Sequence, residues 1–200
     1  MPTLKFQPEA DRYYAEGYWR DGDLWSDFAR RAQEHPQKAA LILDDRTFTF
    51  DQLRRAAVGV SVRLAEGGVK TGDVVILLGR HSIEAAVAML GCMHRGVVIA
   101  PLPPMFNETQ LSALIAQTRA TALLGFGGER ALAKCHQVAD QVPLFLAIAP
   151  ELVDQLAEDE HPDDHVPRHG DDLAMVLHSS GTTSTPKGIA HSNNTLRYAT

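Results

Sequence analysis

The sequence predicts an α/β fold of three layers, a mainly parallel sheet flanked by helices. Three observations carry that expectation. The runs at residues 74–78, 97–100, 122–125, 144–148 and 173–177 are apolar almost throughout instead of at every second position, which is the pattern of strands buried on both faces. Stretches with helical spacing of apolar residues separate these runs, so strand and helix alternate along the chain. With 200 residues, 44% of them hydrophobic, the chain can bury one sizeable core or two small lobes.

Taken in order, residues 1–23 read as an irregular N-terminal arm packed onto the body by Tyr13, Tyr14, Tyr18 and Trp19. Leu24, Trp25, Phe28, Ala29 and Ala32 recur at helical spacing, and Pro36 follows the stop. Residues 39–43 and 47–50 read as two short strands around Asp44-Asp45-Arg46, a hairpin. The alternation of Thr and Phe in the second strand sets Phe48 and Phe50 to face inward. A helix follows with Leu53, Ala57, Val60 and Leu64 on one face, ended by Gly67-Gly68.

Thr71-Gly72-Asp73 then turns the chain into the first fully apolar strand. Ser82 caps a helix carrying Ile83, Ala86, Val87 and Leu90, and Gly96 closes it. Pro101 is expected to stop the strand at 97–100. Asn107 with Gln110 forms a capping-box start for a helix bearing Leu111, Leu114 and Ile115. Leu132, Cys135 and Val138 face inward from the next helix. Residues 149–172 are rich in Asp and Glu. Their first part suits a short helix through Leu152, Val153 and Leu156; their second half, with Pro162 and Pro167, reads as an exposed connection.

Composition excludes several functions. A net charge of -6 argues against nucleic acid or an anionic membrane as the main partner. Cys92 and Cys135 each sit in an apolar helical pattern, as small core residues of a chain in a reducing compartment. No run is long enough to span a bilayer, and Met1-Pro2-Thr3-Leu4-Lys5-Phe6 lacks the apolar core of a signal peptide. A cytoplasmic protein is expected.

The chemistry concentrates after the last apolar strand, in Ser179-Ser180-Gly181-Thr182-Thr183-Ser184-Thr185-Pro186-Lys187-Gly188. Hydroxyls, glycines and one lysine suit a loop that wraps phosphate oxygens. Gly181 and Gly188 let backbone N–H groups approach an anion, Ser and Thr add donors, and Lys187 adds a point charge. The loop is not a Walker A motif, because Pro186 stands where the second Gly belongs and Gly188 follows the Lys in place of Ser or Thr. By composition alone a solvated linker is the favoured reading, because such clusters are usually loops.

Other candidates are weaker. His161, His165 and His169 are spaced four apart, but Pro162 and Pro167 break the helix on which they would form a metal face. No metal site is expected in this chain. Gly125-Phe126-Gly127-Gly128 hints at a dinucleotide fingerprint, yet Arg130 occupies the third-Gly position. His178 either lines the base of the loop or is simply a polar strand terminus, and His191 reads as a polar residue at a helix start in preference to a phosphate ligand; neither is read as catalytic.

Ser-Gly-Thr-Thr-x-x-Pro-Lys-Gly after a hydrophobic strand closely resembles the phosphate-binding signature of the adenylate-forming enzymes: acyl-CoA synthetases, aryl acid-AMP ligases, luciferases and peptide-synthetase adenylation domains. The chain departs from the family pattern in Ser179, where Thr is usual, and in Ser184, where Gly is usual. Upstream, Thr47-Phe48-Thr49-Phe50-Asp51-Gln52-Leu53, the stretch from Gly67 to Leu78, and Arg95-Gly96-Val97-Val98-Ile99-Ala100-Pro101-Leu102 resemble family segments in the same order. The nearest subfamilies by resemblance are acyl-CoA and cyclic or aryl carboxylate–CoA ligases.

The resemblance implies a partial N-terminal adenylation domain over residues 24–200, ending before the family's adenine- and metal-contacting segment and its C-terminal domain with the catalytic Lys. It implies no catalytic residue within these 200 positions. ATP phosphates would be held by Ser179, Ser180, Gly181, Thr182, Thr183, Lys187 and Gly188, with Mg2+ accompanying the nucleotide, a carboxylic acid as substrate and CoA as acyl acceptor. The alternatives are a non-catalytic module that binds nucleotide or a partner, and an unrelated phosphate-binding α/β protein. Apolar strand edges left exposed on such a partial sheet are expected to promote self-association.

Overall fold

The computed structural model of the chain describes residues 9–179 and 187–199, Ser179 by its backbone alone. The arm is not wholly irregular, since it contains a short helix α1 (Ala10–Ala15). Helix α2 (Leu24–Glu34) starts at Asp23, whose carboxylate accepts from Ser26 N at 2.8 Å and Ser26 Oγ at 2.7 Å. Strands β1 (Ala39–Leu43) and β2 (Arg46–Thr49) form a separate antiparallel hairpin. Phe50 is not a strand residue but the first residue of α3 (Phe50–Glu66), because Thr49 and Gln52 close a capping box there. Phe48 is buried as expected, whereas the Phe50 ring lies against Phe28.

The alternating rhythm then follows: β3 (Val74–Leu78), α4 (Ile83–Arg95), β4 (Val98–Leu102), α5 (Glu108–Thr118), β5 (Ala122–Gly125), α6 (Glu129–His136), β6 (Leu144–Ala147), α7 (Pro150–Glu158) and β7 (Leu173–Ser179). Ser82 caps α4, accepting from Ala85 N at 3.2 Å, and Gly96 ends it in the left-handed region at φ +67°. Pro101 does not stop β4. It lies inside the strand opposite Leu77.

A strand absent from the sequence reading, β8 (Lys187–Ser192), pairs antiparallel with β7, and α8 (Asn193–Tyr198) follows it. His191 is therefore a strand residue. The main sheet runs β6-β5-β3-β4-β7-β8, all parallel except β8.

Strand β3 shows why the layers form. Its Val75 and Leu77 join Leu64, Val87, Ile99, Leu124 and Leu156 in one cluster beneath α3, α4 and α7. Its Ile76 and Leu78 join Leu102, Leu111, Leu114 and Leu123 in a second cluster on the opposite face, beneath α5 and α6. Each fully buried side chain of this size contributes about 1.5–3 kcal/mol. Cys92 belongs to the first cluster and Cys135 to the second, so the sheet stands between two unpaired thiols. The segment 159–172 is not a free connection. Asp163 pairs with His94, Asp164 with Arg95, and His165 with Asp23, strapping it to α4 and the start of α2.

Candidate functional site

The sheet points its parallel strands at one end of the molecule, where α/β folds bind ligands outside the carboxyl ends of their strands. β7 reaches that end with Leu177, His178 and Ser179, and β8 returns from it with Lys187 first. The cross-strand partners are Ser179↔Lys187, His178↔Gly188 and Leu177↔Ile189. Lys187 is exposed, with no ion-pair partner among the described residues. Ser180, Gly181, Thr182 and Thr183 lie outside the described residues, as does the Ser179 side chain. The geometry thus brings the two ends of the phosphate signature together as neighbours on adjacent strands.

Gly188 has a packing reason to be glycine. A Cβ built there would stand 2.9 Å from Val176 Cγ1 and 3.5 Å from His178 Nε2. The His178 ring occupies the space that a side chain at 188 would need. Its Nδ1 is buried without a hydrogen-bond partner among the described residues, and burial pushes the imidazole pKa below its ordinary value. The ring is therefore neutral near pH 7.

Beside this hairpin lies a cleft of about 650 Å³. Its walls come from the ends of β3 (Leu77, Gly79, Arg80, His81), of β4 (Pro101, Leu102, Pro103, Pro104), of β5 (Phe126) and of β7 (Leu177, His178), closed by Ala85 and Met89 of α4. Gly79 is required for close approach, since any side chain there would collide with the Phe126 ring and carbonyl. Lys134 fixes the wall after β4 by donating its Nζ to the carbonyls of Pro104 and Phe106. Arg80 and His81 stand exposed at the mouth, just before the α4 N-cap. Among the described residues no carboxylate lines the cleft. The arrangement favours anions.

Sequence reasoning named Lys187 and Gly188, which the structure places at the start of β8, and did not name Arg80 and His81 at the cleft mouth or Lys134 behind its wall. Arg80 and His81 directly follow the first parallel strand, and the strand-end rule alone would have marked them. Of the three histidines spaced four apart, His165 pairs with Asp23 at 3.0 Å, His169 pairs with Asp21 at 2.9 Å, and His161 packs on Gly59. Among the described residues no three His, Cys, Asp or Glu side chains converge on one point. A triphosphate suits what is described, an unpaired ammonium at Lys187 and a cleft without negative charge.

Known proteins resemble this chain in sequence and fold. A naphthoate–CoA ligase of Streptomyces carzinostaticus (2-hydroxy-7-methoxy-5-methyl-1-naphthoate--CoA ligase) is 27% identical over 94% of this chain and 38% of its own length. A salicylyl-CoA synthase / salicylate adenylyltransferase of Streptomyces sp is 28% identical, again over 94% of this chain and 38% of its own length. The chain therefore spans about two fifths of the length of these ligases. The crystal structure of the anthranilate CoA ligase AuaEII in complex with anthranoyl-AMP shares the fold at a TM-score of 0.75 and 21% identity, over 88% of this chain and 34% of that one. The model of the AMP-binding enzyme family matches residues 28–200. That match covers most of the chain, on a fold with a mainly parallel sheet, and makes the chain a member of the AMP-binding, adenylate-forming enzyme family.

Proposed function

We propose that this chain supplies the triphosphate-gripping part of an ATP-dependent, AMP-forming ligase that joins a carboxylic acid to a thiol. The observation that carries the reading is the β7–β8 hairpin, which sets Lys187 opposite Ser179 with the Ser/Thr/Gly signature between them. In the first half-reaction a carboxylate oxygen bonds to the α-phosphorus of ATP and the bond to the bridging oxygen breaks, releasing pyrophosphate. In the second, the thiol bonds to the acyl carbon and AMP leaves. Negative charge gathers on the departing pyrophosphate, where Lys187 and the hydroxyls of Ser180, Thr182 and Thr183 would stabilise it. Mg2+ bound with the nucleotide would neutralise part of the same charge.

The ligases named above act on aromatic acids, so an aromatic acid is the substrate class we propose, with CoA or a carrier-borne thiol as acceptor. A cytoplasmic setting suits an ATP consumer with two buried free thiols; among the described residues no helix is long and apolar enough to cross a membrane.

Lys187→Ala is the direct test. ATP–pyrophosphate exchange should fall by about tenfold or more, while thioester formation from preformed adenylate changes far less. Equal losses in both half-reactions would sink the assignment. ATP binding without acid-dependent pyrophosphate release would give this chain, by itself, the second role of a nucleotide-binding module.

A further inference from the structure

The first residues after β8 are polar and buried. Asn193 and Asn194, which open α8, are 6% and 0% exposed, although asparagine is mostly a surface residue. Both polar atoms of each side chain are engaged. Asn194 Oδ1 accepts from Arg20 N at 3.2 Å and from Arg197 Nη1 at 2.7 Å. Its Nδ2 donates to Tyr14 Oη at 2.9 Å and to Asp171 Oδ1 at 3.2 Å. Tyr14 in turn donates to Asp171 Oδ1 at 2.9 Å. Asn193 Oδ1 accepts from Leu24 N, and its Nδ2 donates to His169 O. Gly170 makes room for this network: a Cβ there would stand 2.3 Å from Arg20 O and 2.4 Å from Asn194 Nδ2. The N-terminal arm, the start of α2 and the segment before β7 thus all meet on α8.

We propose that the N-terminal arm is a clasp that positions the β7–β8 hairpin, with Tyr14 and Asn194 as its positioning residues. Its consequence for ATP rests on the ligase reading above; the clasp itself does not. Strand β8 has one strand neighbour among the described residues, so the ladder with β7 holds it from one side only. At the end away from Lys187, Ser192 pairs with Leu173 and passes straight into α8. There Asn193 N donates to Asp172 O and Asn194 N to Gly170 O, which ties the root of the hairpin together. The arm holds that root from outside the sheet. Burial of Tyr14 beside the Asp171 carboxylate pushes the phenol pKa up to about 12, so the hydroxyl stays a donor near neutral pH. A root held in this way fixes the line of β8, and with it the place of Lys187 opposite Ser179.

Tyr14→Phe keeps the ring and removes only the hydroxyl. Hydrogen exchange in the full chain should then speed up by about three- to tenfold at the amides of residues 188–192, with those of β3 and β5 unchanged. Asp171→Ala should behave in the same way, and Asp171→Asn, which keeps an acceptor for Tyr14 and Asn194, should exchange as wild type does. MgATP affinity, measured by calorimetry, should fall by about three- to fivefold in Tyr14→Phe, and that loss should vanish when Lys187 is already Ala. Such coupling marks action through Lys187, because a general loss of stability would add to the Lys187→Ala loss instead. Unchanged exchange at residues 188–192, an equal rise in β3 and β5, or additive MgATP losses would overturn the clasp. A wild-type chain that binds no MgATP would remove the ATP reading and leave hydrogen exchange to decide the clasp alone.

Discussion

His94 has both ring nitrogens engaged in a side chain with no exposed surface: Nδ1 meets Ser61 Oγ at 2.7 Å and Nε2 meets Asp163 Oδ1 at 2.9 Å. The ionised carboxylate can only accept, so the neutral ring donates from Nε2 and takes the Ser61 hydroxyl proton at Nδ1. Trp25 lies edge-on at 4.8 Å, and His165 sits 5.6 Å away facing Asp23. Burial lowers the His94 pKa below 6.5, against the opposing pull of Asp163. The unfolded chain therefore takes up this proton first as pH falls. Stability is complete above 6.5 and declines as pH drops through and below that value. Asp163 stays ionised through this window, because its own pKa is lowered: burial, the largest single cause, would raise it, but the His94 hydrogen bond and charge, the His165 backbone N–H and the Arg54 charge together outweigh that. His94→Gln should flatten the decline between pH 7.5 and 5.5 in urea unfolding, leaving the part that belongs to His178, whose pKa burial also lowers, and should cost about 1–3 kcal/mol at pH 7.5. An identical pH slope in wild type and variant would refute the assignment. None of this was legible beforehand, since Ser61, His94 and Asp163 are far apart in sequence and only the fold makes them neighbours. Lys187 was legible because it is one residue of an ordered local motif.

Among the elements, several with local punctuation were read correctly, whereas α1 and β8 were missed and the marks at Thr49/Gln52 and Pro101 were misread. Ser82, Gly96 and the Asn107/Gln110 box mark their helix ends in sequence, and each performs that task in the structure. Strand β8 has no such marks. It is short, begins with Lys-Gly, exposes residues 187–190 and owes its existence to pairing with β7. Its weak point is the contact over Gly188. Gly188→Ala puts a methyl group against Val176 and should cost about 1–2 kcal/mol of hairpin stability. ATP-dependent pyrophosphate exchange should fall with it by about tenfold. Val176→Ala should restore much of the loss in the double variant by clearing the 2.9 Å contact. Additive losses in the cycle would show that Gly188 acts through backbone approach to the nucleotide, as the sequence suggests, and not through this packing.

At the scale of the whole molecule, the sheet is asymmetric. β6 closes one edge, and β8 stands at the other with a single strand neighbour among the described residues. Leu177 and Ile189, directly opposite each other in the ladder, are 38% and 53% exposed, giving this corner an apolar pair beside unpaired backbone donors and acceptors. Soluble proteins usually protect such edges with charge, proline or a covering element, and the charge present here is Lys187 at the first position of the strand. Strand addition at β8 buries the pair and satisfies the edge, so this chain at high concentration should associate through it. Sedimentation velocity should show a mass that rises with protein concentration. Ile189→Lys puts a charge in the middle of the edge and should shift the equilibrium toward monomer by about tenfold or more. A wild-type chain that stays monomeric across the concentration range, or a variant that associates as readily as wild type, would show that the edge is already protected.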